Sequence, residues 1–224
     1  MATKSPSDTS TFTLPDGQPI APALVEADLR AHVTESERAL EEAVWQLARF
    51  YSMVGRQGDA TVCVTRLLAN TPDPAKQAGG YLALGQLLEQ GDHYAEAEAM
   101  YAQGLAILPA AGEVGYFLHN NRGYCLNLLG RHAEAEVHCR AAIALDPVRH
   151  NAHKNLGLAL AGQGRLGEAA HCLLEADGRC PNDPRARGHL TALLTENPEL
   201  LEADPALATA CRARGIRPGR AGSA

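Results

Sequence analysis

Apolar and small residues recur at helical spacing along most of the chain. In the run YFLHNNRGYCLNLLG, Leu118, Arg122, Cys125 and Leu129 fall on one helical face, and Gly130 then ends the helix because glycine tolerates a left-handed backbone. The following RHAEAEVHCRAAIALDP turns Ala135, Cys139, Ala142, Ile143 and Leu145 to one side as a return helix, and Pro147 stops it for want of a backbone donor. HNAHKNLGLALAGQGRLGEAAHCLLEADGRCP repeats the plan with Leu156, Leu160, Ala169, Leu173 and Ala176. Upstream, residues 1–21 are rich in Ser, Thr, Pro and Gly and read as a flexible arm containing the turn signal LPDG. One helix is expected from near Ala23 and a second after Thr34, which has the capping-box spacing to Glu37; the second should reach Val54. Downstream, PRARGHLTALLTE and PELLEADPALATACRAR read as two more helices that close the end.

The small residues are periodic. Pro72, Pro109, Pro147 and Pro181 each have an alanine twelve residues upstream, at Ala60, Ala97, Ala135 and Ala169. Twenty-four residues upstream lie Ala48, Gly85, Gly123 and Gly157, and seventeen upstream lie Gly55, Asp92, Gly130 and Gly164. A helix pair of about 34 residues cannot bury its apolar face alone, so pairs stack, and small side chains sit where backbones approach. The pattern resembles the tetratricopeptide repeat. The expected architecture is therefore all-α, a right-handed superhelical solenoid of antiparallel helix pairs with about four repeats plus flanking helices. The expected divisions are a flexible arm over 1–21, an N-terminal helical segment over 22–40, repeats at 41–74, 78–111, 116–149 and 150–183, capping helices over 184–214, and a disordered basic tail over 215–224.

Composition narrows the class. The chain is 46% hydrophobic but only 4% aromatic, so its core is mostly Leu and Ala, which suits stacked helices better than a sheet sandwich. No apolar run approaches the roughly 18 residues of a membrane span, and the first twenty residues lack the apolar segment of a secretory signal, so a cytoplasmic protein without membrane contact is the default expectation. Six cysteines without CxxC spacing read as free buried thiols in a reducing compartment. Residues 1–110 hold 14 acids and 7 bases, a balance of −7, whereas residues 111–224 are at +1. The acidic half argues against nucleic acid as a partner; Arg212, Arg214, Arg217 and Arg220 near the end leave open a basic arm or an ordinary solvated tail. No nucleotide loop, zinc-protease or nucleophile-elbow motif occurs, and no cofactor, metal or catalytic role is expected.

The resemblance implies a binding role, because in this family the first helix of each unit lines a concave groove that takes peptides. Aligning the units on their prolines puts Gln46, Ala83, Asn121 and Asn155 in one row, with His189 in line on the capping helix. An asparagine offers a donor and an acceptor and can read peptide backbone; the competing reading is that Asn121 and Asn155 only cap or solvate a helix. Beside the row lie Trp45, Arg49, Gln86, Phe117, Asn120, Tyr124, Asn151, Lys154, Leu158 and Arg185. Phe117 and Tyr124 would offer apolar contact, and Lys154 and Arg185 would hold a carboxylate. Some family members clamp a C-terminal carboxylate with two lysines, two asparagines and an arginine. Asn155 and Arg185 fit that set, whereas Asn120, Tyr124 and His189 depart from it. The expected function is an adaptor or scaffold binding a protein or peptide segment; the alternative is a structural assembly factor that packs on itself or on a folded partner. Oligomeric state is left open.

Overall fold

The computed structural model describes residues 12–13, 19–20, 22–107 and 112–219. Among these, the elements are β1 (Phe12–Thr13) and β2 (Pro19–Ile20), then α1 (Pro22–Met53), α2 (Gln57–Asn70), α3 (Pro74–Gln90), α4 (Tyr94–Ile107), α5 (Gly112–Leu128), α6 (His132–Leu145), α7 (His150–Gly162), α8 (Leu166–Arg179), α9 (Pro184–Glu196), α10 (Glu199–Ala203) and α11 (Pro205–Ala213). The fold is an all-α solenoid. The two short strands pair antiparallel, Phe12 with Ile20 and Thr13 with Pro19. The LPDG turn expected between them lies outside the described residues.

Each helix from α1 to α9 packs on its sequence neighbours, and α5 also touches both α3 and α7, whereas α4, α6 and α8 have no comparable mutual contact. α3, α5 and α7 therefore form the inner layer, and the small residues explain how closely the two helices within each pair approach. Ala60, Ala97, Ala135 and Ala169 are all fully buried. Gly123 lies against the Cys139 side chain and the Ala135 carbonyl, and Gly157 stands in the same relation to Leu173 and Ala169, so a methyl group at either would meet backbone as well as side chain. The row seventeen residues before the prolines has a different job. Gly55, Gly130 and Gly164 adopt φ of 78°, 73° and 76° in the tight turn inside each pair. Asp92 holds the equivalent place in the second pair at φ 61°, with its carboxylate accepting from the Tyr94 hydroxyl. Asp-Pro dipeptides start three helices, where Asp73, Asp183 and Asp204 accept from the first backbone N–H groups of α3, α9 and α11.

The structure corrects four expectations. α1 is one unbroken helix of 32 residues rather than two, because nothing between Ala23 and Val54 is a Gly or Pro. The Thr34 hydroxyl bonds back to the Arg30 carbonyl at 3.0 Å instead of capping a new start. Leu129 lies beyond the end of α5 and is 38% exposed. The cap has three helices, since Asp204-Pro205 breaks the second expected one into α10 and α11. Finally, the expected disordered tail is packed as far as it is described: Ile216 is 3% exposed among Leu190, Leu194 and Leu207, and the Gly219 N–H donates to Thr195 at 2.8 Å.

One contact in the scaffold is sensitive to acid. His119 on α5 and His138 on α6 stack with ring centroids 5.2 Å apart and share one Nδ1 proton across 2.9 Å. Both rings cannot be protonated in that geometry. Burial, then the Arg122 guanidinium and His119, hold His138 down to about 4. The unfolded imidazole takes a proton near 6.5, so between those values the unfolded chain binds more protons and stability falls as pH falls. With the pair only half-buried, the loss between pH 7 and 5 is expected to be about 1 kcal/mol. Urea unfolding of the parent and of His138→Gln at the two pH values checks it: the variant should lose less.

Candidate functional site

The inner face of α5, α7 and α9 brings together most of the residues singled out from sequence, in roles that differ from those expected. The carboxamides bind one another. Asn155 is 2% exposed, and its Nδ2 donates to the Asn120 side chain at 3.1 Å and to the Asn120 carbonyl at 3.4 Å. Asn120 donates in turn to Asn121 Oδ1 at 3.0 Å, and Asn127 donates to the Asn155 carbonyl at 2.8 Å. This ladder ties α5 to α7. Asn155 Oδ1 is sealed and has no hydrogen-bond donor, so no ligand reaches it without movement. Asn127, which the alignment passed over, was legible only as a polar residue one turn beyond the row.

Lys154 is the unusual residue. It is 6% exposed, yet no ion pair or hydrogen bond within the described residues reaches its ammonium, which retains contact with solvent. Burial, then repulsion from Arg185, lower its pKa, and Asp183 and Glu89 act the other way from farther off. Asp183 is committed elsewhere. It accepts from the Arg185 fork at 2.7–3.1 Å and from His150 at 2.8 Å, contacts that hold its carboxyl well below the usual range. Glu89 accepts from Tyr101 at 2.8 Å, and burial raises its pKa. Neither position had stood out in the sequence, since each carboxylate becomes relevant only once α3 or the α8–α9 turn is folded against α7. His189, at the rim, is held neutral by burial and by Lys154 and Arg185. The Asn151 side-chain Oδ1 accepts from Arg185 at 3.4 Å, and Tyr124, packed edge-on to Tyr94, feels the charges of both Glu89 and Arg185. The result is a cluster in which Lys154 has no direct partner among the described residues, while Arg185, Asp183, His150 and Glu89 are bonded to other groups.

Other expected residues lie elsewhere. Phe117 stacks edge-on against Tyr116, and the Arg149 guanidinium covers both rings at 4.8 and 4.9 Å, so Phe117 is packed into the scaffold rather than offered to a ligand. Gln86, Trp45, Arg49 and Ala83 line a separate cavity of about 380 Å³ between α1 and α3, together with Leu82 and Leu87. Gln46 is exposed and donates to Glu42. Leu158 is half-buried. Among the described residues no cluster of three or more metal-ligating side chains forms, and no helix is long and apolar enough to cross a membrane.

No curated protein sequence matches the chain. The profile described as Tetratricopeptide repeat matches residues 116–147, the α5–α6 pair that opens the ladder described above. Among solved structures, residues 41 to the end of MamA from Desulfovibrio magneticus RS-1 superpose with a TM-score of 0.63 at 16% identity, over 78% of this chain and 93% of that one. The Hsp90 co-chaperone Cns1 from Saccharomyces cerevisiae matches at 0.54 and 19% identity, over 65% and 47%. The TPR domain of Arabidopsis OM64 matches at 0.50 and 20% identity, over 54% and 97%. At these identities the likeness is one of fold. A matched tetratricopeptide repeat thus lies at the centre of the chain, with the same small-residue period on both sides and a fold shared with these solenoids.

Proposed function

We propose that the protein is an interaction module whose concave face takes an extended segment of a partner, with an acidic group of that segment seated on Lys154. The observation that carries this reading is a lysine only 6% exposed whose ammonium makes no ion pair or hydrogen bond among the described residues. Burying most of the side chain disfavours its charged form, and the carboxylates that act on it, Asp183 and Glu89, are bonded to other groups. An incoming carboxylate supplies a direct partner, with Arg185 and Asn151 beside it to orient the second oxygen. The Asn120–Asn155 ladder acts as the rigid floor that fixes the position of Lys154, not as a reader of peptide backbone. The α1–α3 cavity, with Trp45, Leu82 and Leu87, lies farther along the same inner layer and offers room for an apolar side chain of the same segment.

Synthetic peptides that end in a free carboxylate, in a carboxamide, or in a carboxamide after an aspartate separate the elements of this reading. In calorimetric titration the two acidic peptides should bind with dissociation constants in the micromolar range, and the neutral one at least about tenfold more weakly, equivalent to about 1.4 kcal/mol. Binding should persist at 0.5 M salt, because the receiving charge is buried and little screened. Equal affinity for the neutral peptide would remove Lys154 from the site.

A further inference from the structure

The N-terminal end of the solenoid carries an apolar seam unrelated to the groove. Leu29, Val33, Leu40, Leu47, Phe50 and Val54 are 60, 57, 62, 41, 49 and 49% exposed. With exposed Ser36 and Ala43 between them, they fall at alternating steps of three and four residues along α1, which is a heptad repeat sustained from residue 29 to residue 54. They lie on a face of α1 beside the one on which Trp45, Ala48 and Tyr51 pack into the first helix pair. Residues 27–40 are exposed all round. A stretch of that length is marginal as a helix in water on its own, and an apolar stripe running its full length asks for a partner. The other end of the solenoid is covered by α9–α11, so the two ends are treated differently.

A period of 3.5 residues selects the kind of partner, because only another helix lying nearly along α1 keeps contact with such a stripe over several turns. We infer that the partner is a second copy of this chain, joined α1 to α1 in an antiparallel coiled coil. The stripe is complementary to itself when reversed. With the two-fold axis level with the Glu41–Glu42 peptide bond, Leu40 meets Ala43 of the second copy, Leu47 meets Ser36, Phe50 meets Val33 and Val54 meets Leu29, so every large residue at the centre faces a small one. A parallel pair instead stacks Ser36 on Ser36 and Ala43 on Ala43, leaving gaps, and crowds Phe50 on Phe50. Covering the exposed halves of six large side chains from each copy removes on the order of 1,000 Å², the threshold of a specific interface. Leu40 also borders a cavity shared with Arg66, Leu68 and Lys76 of α2 and α3, so the dimer covers one side of that cavity, while Asn155 and Lys154 on α7 lie outside the seam.

Sedimentation equilibrium of the full chain between about 1 and 100 µM tests the inference. The parent is expected to be a dimer, and L40E/L47E a monomer with an unchanged helical spectrum, dimerisation being weakened at least about 100-fold. A monomeric parent at 100 µM overturns the proposal, as does a dimer that survives L40E/L47E. Under mild oxidation, L40C/A43C should give a covalent dimer and A43C alone should not. A covalent dimer from A43C alone would put the helices in parallel and overturn the register.

Discussion

Lys154→Met is expected to give a protein that melts higher than its parent and no longer holds an acidic peptide. Methionine keeps the length and most of the volume of the lysine stem, so the packing around residue 154 survives. What disappears is the ammonium of a residue that is 6% exposed, a charge with no ion pair or hydrogen bond among the described residues. Removing it should stabilise the fold by about 1–3 kcal/mol, or roughly 2–8 °C in melting temperature for a chain of this size. The same change should weaken acidic-peptide binding by about 2–4 kcal/mol, since a seated carboxylate would lose its buried partner. Calorimetry for binding and for melting, run on one preparation, reads both. Opposite movement of stability and affinity is the signature of a residue retained for function; a lower melting temperature in Lys154→Met would mean that the ammonium has an internal partner after all.

Ending the chain after Asp183 is expected to be the most damaging single change. It removes Leu190, Leu194, Leu207, Cys211 and Ile216, and so uncovers Ala170, Leu173 and Leu174 on α8. Each large apolar side chain returned to water costs about 1.5–3 kcal/mol, so the last helix pair should fray and associate. A second loss compounds the first. Asp177 is 1% exposed and is satisfied by Arg187 at 2.8 Å and 3.2 Å with Arg214 beyond at 3.9 Å, and both arginines leave with the cap. A buried carboxylate without partners is destabilising by several kcal/mol. Light scattering should show association and thermal melting an earlier transition. A truncated chain that is monomeric and as stable as the parent would show that α8 does not depend on its cover.

The period of small residues was sufficient to give the helix pairs, because a twelve-, seventeen- and twenty-four-residue offset from each proline is a local signature of backbone contact and tight turning. Ala135 and Gly123 are buried for the reason their spacing suggested, and Gly130 adopts a positive φ where its offset placed it. Helix ends were harder to read. Thr34 and Glu37 have capping-box spacing, but a cap forms only where something stops the preceding helix, and α1 contains no such stop. Asp204-Pro205 is the reverse case, a start signal inside a stretch that composition alone read as continuous helix.

The site was legible as a row of positions and illegible as chemistry. Alignment on the prolines put Asn120, Asn121, Tyr124, Asn151, Lys154, Asn155, Arg185 and His189 on one face, because helical period alone decides which residues share a face. Whether a residue on that face meets water, a neighbour or a ligand depends on how close the next helix comes. Asn155 is spent on Asn120 because α5 and α7 lie side by side in the inner layer; Phe117 is lost to Arg149, which arrives from the turn between α6 and α7. Lys154 was placed beside Arg185 as a holder of a carboxylate, but that its side chain is buried while its ammonium goes unpaired appears only in the fold. The sequence by itself determined the all-helical class, the repeat and the small-residue contacts, since these follow from spacing along one chain. Tertiary structure alone decided which polar groups are satisfied internally and which charge is left over, because burial and pairing are properties of helices brought together from distant parts of the chain.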